Sequence, residues 1–308
     1  MYRNTFLSVM FLACCFNGSL CAQSDAQIYE RTCDAKTYPF SDPSPVATPN
    51  NSYYPYFRFD GFSMQAQEKQ WKMVVLENDY VKLTVTPEIG GKIWGAIDKV
   101  NNKEFVYTNG VVKFRDVAMR GPWTSGGIEF NFGIIGHAPT CSTPIDYLTK
   151  KNVDGSVSCH IFSYEWITRT VWNVEISLPK DKAYFTTHTT WFNQSSIDQP
   201  YYQWMNAGYA TKTGTRFYYP GTYSIGHSGD LHPYPIDEEG RDVSWYDNNN
   251  FGASKSLHII GDYNDYFGIY WHNEKHGSAH YSNYDEKLGM KFYLWSFSRE
   301  GAIWEELL

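Results

Sequence analysis

The run from Arg120 to Phe132, Arg-Gly-Pro-Trp-Thr-Ser-Gly-Gly-Ile-Glu-Phe-Asn-Phe, is closed by Gly136-His137-Ala138-Pro139. It gathers a guanidinium, an indole, a carboxylate, an amide and an imidazole in one glycine-punctuated segment. These are the groups that handle a polyhydroxylated ring. Trp123 and Phe130 can stack on the apolar face of a pyranose, while Arg120, Glu129, Asn131 and His137 take its hydroxyls. The competing reading is a buried hairpin whose polar atoms satisfy one another. Gly126 and Gly127, inside a strand-like run, mark a bulge or a close backbone approach, and bulges gather at sheet rims and beside active sites.

Chemistry at an anomeric carbon needs a proton donor and a base or nucleophile on opposite sides of the reacting bond, commonly two carboxylates. Glu129 is the first candidate, with His137 close to it as acid or hydroxyl ligand. Glu305 or its neighbour Glu306 supplies the second carboxylate if the C-terminal strand returns to the same cleft; otherwise both are solvated end residues. Tyr202, Trp204 and Asn206 add a phenol, an indole and an amide as substrate-binding candidates, although Trp204, Trp271 and Trp295 lie in strand-like runs where core packing is the default. His227 follows a turn in Ser224-Ile-Gly-His-Ser-Gly229 and is a further candidate ligand. His272, His276 and His280 lie near a turn, a spacing common by chance in loop-rich regions. With no Cys-x-x-Cys or His-Glu-x-x-His pattern, neither a metal nor another cofactor is expected.

The elements that must position these groups are strands. In Tyr80-Val-Lys-Leu-Thr-Val-Thr-Pro87 the residues Val81, Leu83 and Val85 share a face, and a Gly90-Gly91 turn leads into Lys92-Ile-Trp-Gly-Ala-Ile97. The same alternation recurs at 156–162, 168–176, 183–192, 201–205, 216–219, 255–260, 266–271 and 290–296, separated by turn signals at Leu178-Pro-Lys-Asp181 and Asn193-Gln-Ser-Ser196. No helix of normal length is legible. Many strands without crossover helices predict antiparallel sheets packed face to face, an all-β sandwich read as one large domain over 71–308. Residues 23–70, rich in Pro, Ser, Asn and Tyr, read as an extended arm lying on that domain.

Aromatic residues make up 18% of the 308-residue chain and charged ones 19%, a balance suited to antiparallel sheets and to sugar-binding faces. The formal net charge of -7 and the lack of a Lys/Arg cluster argue against a nucleic-acid partner. Residues 1–22 read as an export signal: Arg3, an apolar core from Phe6 to Phe16, and Ser19-Leu-Cys-Ala22 before Gln23. Lipidation at Cys14 or Cys21 is the weaker alternative, because neither has the expected approach sequence. The apolar core is too short for a membrane span, and no later stretch reaches that length. The expected product is exported, periplasmic or secreted. Cys33, Cys141 and Cys159 remain after the signal; Cys141 and Cys159 can flank a hairpin, and their spacing leaves a bridge open.

Several separated blocks carry a family resemblance. Asn78-Asp-Tyr-Val-Lys-Leu-Thr-Val-Thr-Pro-Glu-Ile-Gly-Gly-Lys-Ile-Trp94, Lys103-Glu-Phe-Val-Tyr107, Gly121 to Asn131, Gln199-Pro-Tyr-Tyr-Gln-Trp-Met-Asn206, His232-Pro-Tyr-Pro-Ile-Asp237 and Trp304-Glu-Glu-Leu-Leu308 resemble, in order, an uncharacterised family of exported bacterial proteins with a galactose mutarotase-like supersandwich. The resemblance implies that fold and a carbohydrate context. It also implies further strands beyond Leu308, including a glutamate similar to the general base of aldose epimerases, so the domain is expected to lack its last strands. The general-acid histidine of mutarotases is matched here by Tyr202, a phenol with an ordinary pKa near 10 and a poorer proton-transfer group at neutral pH. Ala138 stands where some relatives have arginine, which removes one hydroxyl or carboxylate clamp. Three functions fit the sequence: an enzyme that cleaves or isomerises a sugar, a non-catalytic carbohydrate-binding module, and an assembly domain without ligand.

Overall fold

A period of two puts successive side chains on opposite faces, and in this chain that pattern decides both the strands and their cores. The computed structural model describes residues 24–42, 54–58, 60–118, 120–252, 254–286 and 289–294. The expected signal segment, Trp295 and both candidate carboxylates Glu305 and Glu306 lie outside the described residues.

The first group of strands is β1 (Gln27–Tyr38), β2 (Gln67–Glu77), β3 (Val81–Thr86), β4 (Lys92–Asp98), β5 (Lys103–Val106), β6 (Val112–Lys113), β7 (Arg115–Ala118), β8 (Gly121–Trp123) and β9 (Ile128–Phe132). There follow β10 (Asp146–Lys151), β11 (Val157–Glu165), β12 (Thr170–Leu178), β13 (Thr186–Asn193) and β14 (Gln203–Ala207). The last third holds β15 (Thr215–Tyr218), β16 (Tyr223–Ile225), β17 (Leu231–Pro233), β18 (Lys255–Ile260), β19 (Tyr266–Trp271), β20 (His276–Tyr281) and β21 (Met290–Leu294).

The largest sheet runs β14-β9-β4-β3-β2-β1-β6, with β5 also on β4, and faces a sheet ordered β10-β11-β12-β13. Their inner faces meet in one core, where Val74, Leu83, Ile93, Ile128, Phe130 and Phe132 pack against Ile161, Trp172, Val174 and Ile176. Phe132 stacks on Trp172 with ring centroids 4.6 Å apart. A second pair of sheets, β15-β19-β20 and β17-β16-β18-β21, encloses its own core around Phe217, Ile259, Ile269, Trp271 and Phe292. The architecture is the expected all-β antiparallel supersandwich, with these two cores and a third buried apolar cluster around Trp71, Ile89, Trp94 and Phe114.

Residues 27–38, read from sequence as part of an arm, are a full strand of the main sheet. β1 pairs antiparallel with β2 from Gln27 opposite Glu77 to Thr37 opposite Gln67. The sheet thus begins at Gln27 and not at Trp71. β1 hid because most of its residues are polar and exposed, so it lacks the alternation that marks a half-buried strand. The thiols of Cys33, Cys141 and Cys159 are free. The Cys141–Cys159 bridge left open by the spacing is not formed: Cys159 belongs to the core between the main sheets, and the Cys141 thiol approaches Pro122 O at 3.6 Å.

Candidate functional site

Period two also builds the site. Because Ile128, Phe130 and Phe132 face the core, Glu129 and Asn131 project from the other face of β9. On neighbouring strands, Met205 and Ala207 pack towards the core, so Trp204 and Asn206 project with Glu129; Ile93 does the same for Lys92 and Trp94. Register then makes Asn206 the partner of Glu129 and Trp204 the partner of Asn131. Three adjacent strands therefore place a carboxylate, two amides, an amine and two indoles on one patch. At the entry to β9, Gly127 has φ 64°, and a Cβ there would lie 2.3 Å from Ile93 O. Only glycine lets this turn press against β4.

Glu129 is buried. Its Oε1 lies 2.5 Å from His137 Nδ1 and accepts from Asn131 Nδ2 at 3.2 Å and Asn206 Nδ2 at 3.4 Å. Oε2 is buried and has no hydrogen-bond partner. Burial pushes the Glu129 carboxyl up, but the neighbouring His137, through electrostatics and hydrogen bonding, together with Lys92 and the Asn131 amide, pulls harder and leaves it below the ordinary carboxylate value. The carboxylate is ionised at neutral pH.

Lys92 is fully buried and donates to Thr124 O at 2.5 Å and to Thr124 Oγ1 at 3.2 Å. Burial lowers its pKa, against the opposing pull of Glu129. Its ammonium stands 5.7 Å from the centroid of Trp123 and 5.8 Å from that of Trp94, within cation–π range.

His137 is held from three sides. Asn131 Oδ1 accepts from Ala138 N at 2.8 Å, Tyr202 Oη accepts from Gly136 N at 3.0 Å, and Trp204 Nε1 donates to Gly136 O at 3.2 Å. Trp204 meets the imidazole edge to face at 4.8 Å, and Trp123 lies 5.5 Å away on a tilt. The imidazole retains 21% side-chain exposure while its Nδ1 is buried, so the solvent-facing part of the ring is the part away from Glu129. Trp123 Nε1 is likewise buried without a partner.

The structure brings together Glu129, His137, Asn131, Asn206, Tyr202, Trp204 and Trp123. It does not bring in Arg120, whose guanidinium is buried, pairs with Glu165 and donates to Phe132 O at 3.3 Å. Glu165 in turn accepts from the backbone and hydroxyl of Thr168, each at 2.7 Å. Arg120 thus holds β9 to the opposite sheet and is not available to hydroxyls. His227 lies in the other sheet pair, with Nδ1 2.5 Å from Ser256 Oγ, and contributes nothing here. His276 stacks on Trp271 and His280 on Phe267, while His272 packs on Trp245; among the described residues no three potential ligands form a metal group.

Sequence reasoning missed Lys92, Thr124 and Glu165. Lys92 carried one signal, a single lysine opening the apolar run Ile-Trp-Gly-Ala-Ile; Glu165 carried none, being 45 residues from its partner. Two surface cavities open elsewhere, one beside Lys103, Lys212, Glu274 and Trp271 and the other beside Trp191 and Tyr201. The Glu129 cluster is by contrast enclosed, with His137, Trp204 and Asn206 as its partly exposed rim.

The sheets and their cores form an all-β antiparallel supersandwich, galactose mutarotase-like in fold. The chain belongs to the family described as Domain of unknown function (DUF5107), whose model matches residues 48–308. It is similar to a TPR-domain containing protein from Parabacteroides distasonis, at 22% identity and a TM-score of 0.81, covering 92% of this chain and 49% of that one. The chain thus spans about half the length of that relative. It is also similar to a putative aldose 1-epimerase from Klebsiella pneumoniae, at 10% identity and a TM-score of 0.52, covering 72% of this chain and 66% of that one. Among the described residues no helix is long and apolar enough to cross a membrane.

Proposed function

We propose that this chain is an exported carbohydrate-active protein that takes a sugar at the Glu129 cluster and cleaves or isomerises it by acid–base chemistry. His137 moves the proton at the exposed rim, and the Glu129 carboxylate steadies the imidazolium that forms. The observation that carries this reading is two orphaned atoms on residues that contact His137. Glu129 Oε2, an acceptor, and Trp123 Nε1, a donor, are both buried without partners beside His137. Buried polar atoms are ordinarily satisfied. Sugar hydroxyls both donate and accept, and so suit an orphaned acceptor as well as an orphaned donor. The fold likeness to an aldose 1-epimerase supports the substrate class by analogy alone.

A non-catalytic binding module is the second reading. It is favoured by the contacts of Glu129 and His137, which among the described residues include no second carboxylate. An assembly domain without ligand leaves the two orphaned atoms unexplained. Sugar-dependent thermal stabilisation separates binding from its absence: a sugar at a hundred times its Kd adds about 2.7 kcal/mol of stability. No shift in the wild type with any neutral sugar contradicts both sugar readings.

A further inference from the structure

The edge of the smaller main sheet carries a second feature that the Glu129 chemistry does not use. A cavity of about 280 Å³ is lined by Thr170, Thr189, Trp191, Asn193, Gln199 and Tyr201. That volume falls just below the range for drug-sized ligand sites, roughly 300–1,000 Å³, and suits a single small ring. No lining side chain is a carboxylate, an amine or a guanidinium. A phosphate, a carboxylate or a cation finds no counter-charge there.

Two aromatic rings form one wall. Trp191 and Tyr201 lie with centroids 4.9 Å apart at an interplanar angle of 42°, an angled pair that leaves ring surface open. Tyr201 is 71% exposed, and the Trp191 indole N–H is buried without a partner. The polar groups are fixed: Asn193 Nδ2 donates to Ile197 O at 2.8 Å, and Gln199 Nε2 donates to Ser195 Oγ at 3.1 Å. Asn193 Oδ1 also accepts from Ser195 N and Oγ, which leaves Asn193 one N–H to offer, while Gln199 keeps capacity beyond its contact. Aromatic faces beside amides and hydroxyls, without charge, match a ring that is apolar on one side and hydroxylated at its rim.

We propose that this cavity is a second carbohydrate site, taking one ring of a neutral sugar against Tyr201 and Trp191. The proposal shares the carbohydrate reading of the chain but stands on its own residues. The two sites meet through the chain itself. Tyr201 faces Trp191, while the next residue, Tyr202, holds Gly136 beside His137. Trp191 also touches Phe132 edge to face at 5.8 Å, on the strand that carries Glu129.

Isothermal titration with a panel of neutral mono- and oligosaccharides tests it, using the wild type, Tyr201→Ala, Gln199→Ala and Glu129→Gln. The expected result is two sugar-binding events in the wild type, of which Tyr201→Ala loses one or weakens it at least tenfold, Gln199→Ala weakens the same one, and Glu129→Gln keeps it. Because Tyr201 is exposed, an unchanged melting temperature verifies that Tyr201→Ala is folded. An isotherm for Tyr201→Ala that matches the wild type overturns the second site and leaves the Glu129 site standing. A wild type that binds no neutral sugar overturns both. A proline-rich peptide captured at Tyr201 in place of any sugar overturns the ligand class.

Discussion

His137 Nδ1 lies 2.5 Å from Glu129 Oε1, and that oxygen also takes the amides of Asn131 and Asn206. One carboxylate oxygen is thus committed to the protein and the other, Oε2, is left open. The division matters because a carboxylate held below its ordinary range is no proton donor at neutral pH. It serves as a base or as the counter-charge of an imidazolium, and the partly exposed His137 is the group placed to exchange protons with a ligand.

The Glu129 carboxyl sets a stability change in acid. Its folded-state pKa is below the ordinary value of 4.5, so the folded chain binds fewer protons than the unfolded one across that interval. The stabilisation is complete above about pH 4.5 and is lost as the pH falls through the folded value. Melting curves should show the wild type above Glu129→Gln near neutral pH, with the gap closing in acid. A gap independent of pH contradicts the assignment.

Lys92→Met removes a cation from beside Glu129 and a donor from Thr124 O. The unpaired buried carbonyl costs about 1–3 kcal/mol. The Glu129 carboxyl, deprived of that neighbour, should titrate at a higher pH, as read from its carboxyl carbon shift in NMR. An unchanged titration means that Lys92 does not act on Glu129.

Arg120→Met should act on stability and not on sugar affinity. Breaking the buried pair leaves Glu165 without its cation, a loss of about 3–5 kcal/mol. Chemical denaturation measures the loss. A variant as stable as the wild type but blind to sugar would return Arg120 to the binding site.

These residues show where sequence was legible. Alternation alone located β18 and β19 at their observed bounds, and it located β3 and β4 within a residue. Residue types, not alternation, singled out Glu129, Asn131 and His137, because they lie close together in the chain. Arg120 was misread because its partner comes from another strand, and a guanidinium looks the same in sequence whether it meets a sugar or Glu165. β1 escaped because edge-like, polar strands obtain their order from the neighbour they pair with, a tertiary effect that composition does not carry.

Gly127→Ala should disturb the site from behind. At φ 64° the backbone disfavours any side chain, and the new Cβ would meet Ile93 O at 2.3 Å. A loss above about 1 kcal/mol is expected, with the approach of β9 to β4 disturbed. Amide exchange at Ile128 and Glu129 should accelerate; protection equal to the wild type contradicts the close-approach argument.

Proton NMR of a panel of aldoses and neutral oligosaccharides, incubated with the wild type, Glu129→Gln and His137→Gln, tests the role of the Glu129–His137 pair. The wild type should accelerate anomer exchange or release a sugar. Both variants should lose turnover by about 10²–10⁴-fold, the usual worth of a placed acid–base group, while still binding. Turnover at the wild-type rate in both variants would contradict it, because the chemistry would then lie outside the Glu129–His137 pair.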